Sequence, residues 1–243
     1  MPVATREPTI LATSGGYILG PRQVPVVGPL IRYAMELSGA REPKVCFVNT
    51  AGGDDSRWQS WCYAALADAG ARPTHLSLFP MPNVADVTAH LTGVDVIWVG
   101  GGSVANLLAL WRLHGVDKAM RAAWEAGVVL GGVSAGSICW HTGGNTDSFG
   151  PELRAVTNGL GLLPYSNAPH YDAEPQRRPL FQQLIAAGDL PAGYATDNGA
   201  GLLYRGAELV ECVAERDDAY CWQVRREGNR AVETQLHVRR LPD

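Results

Sequence analysis

The chain has 243 residues, 46% of them apolar and only 18% charged, which supplies a core and excludes a solvated, disordered chain. Lys plus Arg number 20 against 24 Asp plus Glu, so a net charge of −4 leaves no basic surplus for a nucleic acid backbone. No run of about 18 apolar residues is present to span a bilayer, the N-terminal MPVATREPTI lacks the apolar segment of an export signal, and the five cysteines are scattered without a C-x-x-C pair, reading as reduced thiols of a cytoplasmic protein with no zinc site.

Strand and helix patterns alternate through the first 130 residues. A strand at 9–13 ends at Ser14-Gly15-Gly16, and helical spacing over 26–38 stops at Gly39. A buried-type strand at 44–48 leads to Gly52-Gly53 and then a helix from Ser56 to Ala69. Residues 75–79 alternate like a strand, 84–91 read as a helix, and 94–99 form a strong apolar strand closed by Gly100-Gly101-Gly102. Helices over 103–113 and 116–126 and a strand at 128–130 complete the pattern. Apolar strands separated by helices predict an α/β fold with a mostly parallel, doubly wound sheet covered on both faces. Beyond residue 145 glycine and proline increase; one helix at 179–187 and C-terminal β-hairpins (201–204, 208–212, 219–224, 234–238) are expected. No linker or repeat interrupts the chain, so residues 1–243 read as a single domain.

The most informative segment is Gly132-Val133-Ser134-Ala135-Gly136, a G-x-S-x-G between a predicted strand and a predicted short helix. Such a turn holds the serine in strained backbone angles, and small neighbours avoid clashes. The hydroxyl then stands beside a helix N-terminus whose free N–H groups can hold an oxyanion. A serine nucleophile needs a base. Of six histidines, His75, His90, His114 and His237 fall in structural contexts, and His141 follows Ser134 on the same short helix. His170, in the polar loop Asn167-Ala168-Pro169-His170-Tyr171-Asp172, sits where loops gather at the strand C-terminal edge. A carboxylate to orient the imidazole is available at Asp197, Asp172, Glu174 or Asp147, and residue chemistry does not choose among them. The order Ser134, His170, Asp197 differs from the Ser…Asp/Glu…His order of α/β-hydrolases, so the elbow belongs to another α/β fold. A loose dinucleotide fingerprint at Gly100-x-Gly102 lacks its acidic partner on a second strand, and neither a P-loop nor H-E-x-x-H occurs.

Four segments in order, Val99-Gly-Gly-Gly102-Ser-Val-Ala-Asn106, Gly132-Val-Ser134-Ala-Gly136-Ser137, Pro169-His170-Tyr171 and Thr196-Asp197-Asn198-Gly199, resemble the peptidase E family of serine peptidases. That family is similar in fold to class I glutamine amidotransferases. The resemblance implies hydrolysis of dipeptides with an N-terminal aspartate, with Ser134 as nucleophile, His170 as base and acid, and Asp197 as third member, although T-D-N-G replaces the P-E-G-N of better-known relatives. It places the oxyanion hole at the backbone N–H of Ala135 and of Gly101 or Gly102. An aspartyl side chain needs a cation, ideally a guanidinium. Arg177 or Arg178 would supply it, with Asp147 and Ser148 as weaker pocket candidates. The expected partner is a small acidic peptide, acted on without metal or organic cofactor by a monomer or homodimer, away from nucleic acid and membranes. A cyanophycinase-like or other acidic-peptide exopeptidase, or a non-catalytic small-molecule binder on the same fold, are the alternatives.

Overall fold

The computed structural model describes residues 7–242. The chain begins with β1 (Thr9–Thr13), a small hairpin of β2 (Tyr17–Leu19) and β3 (Pro25–Val27), then α1 (Pro29–Leu37) and β4 (Lys44–Val48). It continues through α2 (Ser56–Asp68), β5 (Arg72–Leu76), α3 (Val87–Thr92), β6 (Val96–Val99), α4 (Val104–His114), α5 (Val116–Glu125) and β7 (Val129–Val133). After the short α6 (Ala135–Ile138) come β8 (His141–Thr146), β9 (Arg154–Val156), β10 (Leu163–Pro169), α7 (Arg177–Ala187) and β11 (Gly193–Thr196). The remainder is β12 (Ala200–Arg205), β13 (Glu208–Ala214), β14 (Cys221–Glu227), β15 (Arg230–Gln235) and β16 (Arg239–Arg240).

Among the described residues the larger sheet runs β16-β13-β12-β1-β7-β6-β4-β5. Its centre, β1, β7, β6, β4 and β5, is parallel, while β12 joins β1 antiparallel. Period-two alternation divides its side chains cleanly. Ile10, Cys46, Val48, Ile97 and Val99 face one apolar cluster, with α4 and α5; Leu11, Val45, Phe47, Val96 and Trp98 face the other, with α1 and α2. Helices therefore cover both faces, as the strand pattern predicts for a mostly parallel α/β sheet. No helix among the described residues is long and apolar enough to cross a membrane.

Local chemistry explains where the observed elements depart from the expected ones. The first helix begins at Pro29, not residue 26, because Val26 and Val27 pair with Ile18 and Tyr17 and because proline suits a first helical turn. The strand expected at 75–79 lies at Arg72–Leu76; beyond it the Leu78 and Phe79 N–H groups bond the Asp54 carboxylate, not a neighbouring strand. The largest difference is a second sheet, β15-β14-β11-β10-β8-β9. Its strands β8 (HTGGNT) and β10 (LPYSNAP) carry Asn145, Ser166 and Asn167 in the interior, so neither shows an apolar run. These side chains find partners inside: Asn167 accepts from Ser137 Oγ at 2.8 Å and donates to Tyr194 O, Ser166 donates to Pro191 O, and Asn145 donates to Arg177 O, its Oδ1 alone among these atoms lacking a partner among the described residues. The two sheets share a core, since the cluster on the α4–α5 face also contains Val156, Leu163, Tyr194 and Cys221.

His141 does not extend the elbow helix but opens β8, fully buried. Its Nδ1–H donates to Ser137 O at 2.9 Å and its Nε2 lies 3.3 Å from the Tyr204 hydroxyl. Burial pulls its pKa down from 6.5 to about 4, so the ring is neutral at pH 7. Unfolding above pH 4 and below 6.5 takes up a proton, hence this contribution is complete above 6.5 and is lost as pH falls toward 4. Denaturant titrations should show stability falling by about 1 kcal/mol per pH unit from this group between pH 6 and 5. The His141→Gln variant should lack that slope; an unchanged slope would show that His141 does not carry it.

Candidate active site

The bend between β7 and α6 is as tight as the motif requires. Ser134 has φ 57° and ψ −113°, a conformation that costs a non-glycine residue about 1–3 kcal/mol. The backbone around it leaves no room for side chains. A Cβ on Gly132 would overlap Gly136 O, and one on Gly136 would overlap Val99 O at the end of β6. The bend is held by Ser134 N–H donating to Thr13 O at 3.1 Å and by Ser134 O accepting from Ser137 and Ile138 N–H. Ser134 itself is half-buried. The next N–H, that of Ala135, belongs to the first helical turn, where no intrahelical acceptor exists.

The glycines after β6 have different neighbours. A Cβ on Gly101 would lie 3.3 Å from Ser134 Cβ and 3.9 Å from its Oγ, so the Gly101 backbone borders the hydroxyl. Gly102, at φ 130°, is wedged against Ala51 O instead. Ser103 then caps α4 by accepting from Asn106 N–H. These glycines make room for the elbow and the loop after β4.

His170 follows the last residue of β10, also with positive φ (57°). Its N–H donates to Ser14 Oγ at 3.0 Å. Ser14, the residue after β1, also contacts Thr196 Oγ1 at 2.6 Å and accepts Gly199 N–H on its carbonyl. Ser134 and His170, 36 positions apart in the sequence, are thus bonded through their backbones to two consecutive residues, Thr13 and Ser14. The structure brings them to the same edge of the fold.

The ring of His170 meets Asn198, with Nδ1 2.5 Å from Asn198 Oδ1. An amide oxygen accepts, so Nδ1 carries the proton and Nε2 is left as the basic atom. Asp197, the expected third member, is buried at 5% exposure and turned elsewhere; its carboxylate accepts from Tyr220 N–H at 3.0 Å and Trp222 Nε1–H at 3.2 Å. Burial raises its pKa, opposed by those two hydrogen bonds. Asp172 accepts Asn198 N–H at 2.7 Å and pairs with Arg216 at 2.5 Å, and Arg216 Nε donates to Asn198 O at 2.6 Å. Asn198 is therefore held on both sides of its backbone. Glu174 pairs with Arg177, and Asp147 is exposed. A search by charge passes over Asn198, although it stands one residue along the same Thr196-Asp197-Asn198-Gly199 turn.

The two arginines also separate. Arg177 is buried, its guanidinium bonded to Glu174 and, at 2.5 Å, to Asn145 O, so it stitches α7 to β8. Arg178 is 43% exposed, pairs with Glu233, and lies 4.4 Å from the Trp222 ring centre and 5.3 Å from that of Tyr171, the neighbour of His170. Glu233 belongs to β15, so the C-terminal hairpin supports this cation. Ser148 bonds Thr146 Oγ1 at 2.8 Å and accepts Ala105 N–H at the start of α4. Asp147 borders a cavity of about 430 Å³ with Glu174 and Gln176.

Residues 10–212 match the model of peptidase family S51. The chain is 39% identical to an uncharacterized peptidase, YgaJ, of Bacillus subtilis (strain 168) over 227 residues, covering 93% of this chain and 96% of that one. It is 30% identical to peptidase E of Streptomyces coelicolor over 172 residues, 63% of this chain and 64% of the relative. The crystal structure of a peptidase from an acI-B1 Actinobacterium superposes with a TM-score of 0.68 at 16% identity, covering 96% of both chains. With a family match across most of its length, a strand-turn-helix serine and a mostly parallel α/β sheet, the chain belongs to peptidase family S51 and is a peptidase E-like hydrolase.

Proposed function

We propose that this hydrolase is a serine-type dipeptidase acting on dipeptides with an N-terminal aspartate. The observation that carries the reading is the strained Ser134, bordered by the Gly101 backbone and bonded to the same strand end as His170. His170 Nε2 takes the hydroxyl proton as Ser134 Oγ attacks the scissile carbonyl. The N–H groups of Ala135 and Gly101 receive the oxyanion. His170 returns the proton to the leaving amine, and water, deprotonated by the same ring, releases the acyl group. Asn198 takes the orienting position assigned from resemblance to Asp197. It fixes the Nδ1–H tautomer but, being neutral, gives the imidazolium no ionic partner. Every step uses groups of this chain.

Arg178 supplies the cation for the substrate's aspartyl carboxylate. It is partly open to solvent, stands beside Tyr171, and retains N–H donors beyond the one bonded to Glu233. Arg177 is enclosed by its own partners.

Ser134→Ala should lower kcat on Asp-X dipeptides by at least about 1,000-fold with an unchanged unfolding transition, checked by amine release and circular dichroism. Near-normal turnover would end the mechanism. Asn198→Ala should lower kcat at least about tenfold while changing KM little, and Asn198→Asp should move the acidic limb of the kcat/KM pH profile upward. An Asn198→Ala enzyme with unaltered kcat and pH profile would remove Asn198 from the site. Arg178→Gln should cost about 10- to 100-fold in kcat/KM on Asp-X and leave Ala-X unaffected. Equal losses on both would assign the arginine a structural role. Including β-aspartyl and Glu-X dipeptides in the panel separates this activity from other acidic-peptide exopeptidases.

A further inference from the structure

A cavity of about 310 Å³ opens beside the elbow, away from His170. Its walls are Asn49 after β4, Trp98 of β6, Gly100 and Gly101 after it, Val133 before Ser134, and Tyr17, Asp55 and Trp58. Strand order sets the geometry. His170 is anchored at β1, on one flank of β7, whereas the cavity lies over the ends of β6 and β4, on the other. Ser134 stands between them. A group seated in the cavity therefore touches the immediate neighbours of the nucleophile, Val133 and Gly101.

The chemistry of the walls is specific. Tyr17 and Trp58 meet edge to face at 5.6 Å, and the Trp98 indole packs against Gly16 and Gly131, where no Cβ would fit. Burial holds the Tyr17 phenol protonated and neutral. The Trp98 Nε1–H is buried and has no hydrogen-bond partner among the described residues. Among the described residues the sole carboxylate lining the space is that of Asp55, which caps α2 by accepting Trp58 N–H at 2.7 Å, and no lysine, arginine or histidine lines it. Three aromatic rings favour a flat apolar side chain, while a side-chain carboxylate seated among them would face Asp55 without a cation.

We propose that this cavity is the subsite for the leaving residue of the dipeptide and selects a large aromatic side chain there, excluding an acidic one. The assignment rests on the dipeptidase reading. With the aspartyl carboxylate directed to Arg178 on the His170 flank, the second residue extends from the scissile carbonyl toward the opposite flank.

The test compares Asp-Phe, Asp-Ala and Asp-Glu on the wild type, Trp58→Ala, Trp58→Phe and Asp55→Asn. Asparagine keeps the α2 cap while removing the charge. In the wild type kcat/KM should rank Asp-Phe above Asp-Ala above Asp-Glu, each step about tenfold. Trp58→Ala should erase the advantage of Asp-Phe and leave Asp-Ala within twofold, and Trp58→Phe should restore most of it. Asp55→Asn should raise Asp-Glu several-fold with Asp-Phe unchanged. Equal loss on Asp-Phe and Asp-Ala in Trp58→Ala, or an Asp-Glu rate indifferent to Asp55→Asn, would overturn the assignment. Free phenylalanine, the expected product, is also titrated against Ser134→Ala with tryptophan fluorescence as readout. A saturable change absent with alanine and abolished by Trp58→Ala supports the subsite even if no Asp-X dipeptide is cleaved, in which case the dipeptidase reading alone fails. No change with phenylalanine removes the subsite even if Asp-X is cleaved.

Discussion

The site depends on the end of one central strand. Thr13 O receives the N–H of Ser134, Ser14 Oγ receives that of His170, and Ser14 O receives that of Gly199. Three segments from two different sheets are thereby fixed within two residues of each other. All three bonds use backbone donors, two to backbone carbonyls and one to the Ser14 hydroxyl, so they fix the path of each chain segment. Ser14 is buried and bonded to Thr196 as well, which makes the junction rigid where the sheets meet.

Around that junction the chain holds two strained residues, Ser134 and His170, each with φ of 57°. Neither is glycine, and each follows directly from a strand of a different sheet. Strain of about 1–3 kcal/mol persists only where the surroundings determine it. Here the surroundings are specific: the Gly132–Gly136 and Gly136–Val99 approaches admit no Cβ, and His170 O accepts from Ala173 and Glu174 N–H in the turn that follows. The sharp bends direct both residues away from the strands that carry them.

The imidazole is oriented by a neutral amide, with charge displaced one step outward. Asp172 and Arg216 do not reach the ring but hold the Asn198 backbone, by Asn198 N–H and Asn198 O respectively. Asp197, one residue earlier, turns to Tyr220 and Trp222 and ties the same turn to β14. The C-terminal hairpin thus meets this region twice, through its bonds to Asp197 and through the Glu233 partner of Arg178. Both contacts depend on β14 pairing with β11, a partnership between segments about 30 residues apart.

Much of this was legible from the chain. Apolar strands such as KVCFV and VIWV, flanked by glycine and separated by helical spacing, dictate a parallel sheet because only two-sided burial suits them. The spacing Gly132-x-Ser134-x-Gly136 after a strand dictates the elbow, since steric exclusion at both glycines is local. The second sheet was not legible, because β8 and β10 bury asparagine and serine whose partners lie up to 32 residues away. Pattern reading equates burial with apolarity, and a hydrogen-bonded polar interior breaks that rule. The identity of the residue against the His170 ring, and which of Arg177 and Arg178 is enclosed, were decided only in three dimensions. Adjacent residues of a turn or helix start share a sequence address but point in different directions, and the direction is set by distant strands.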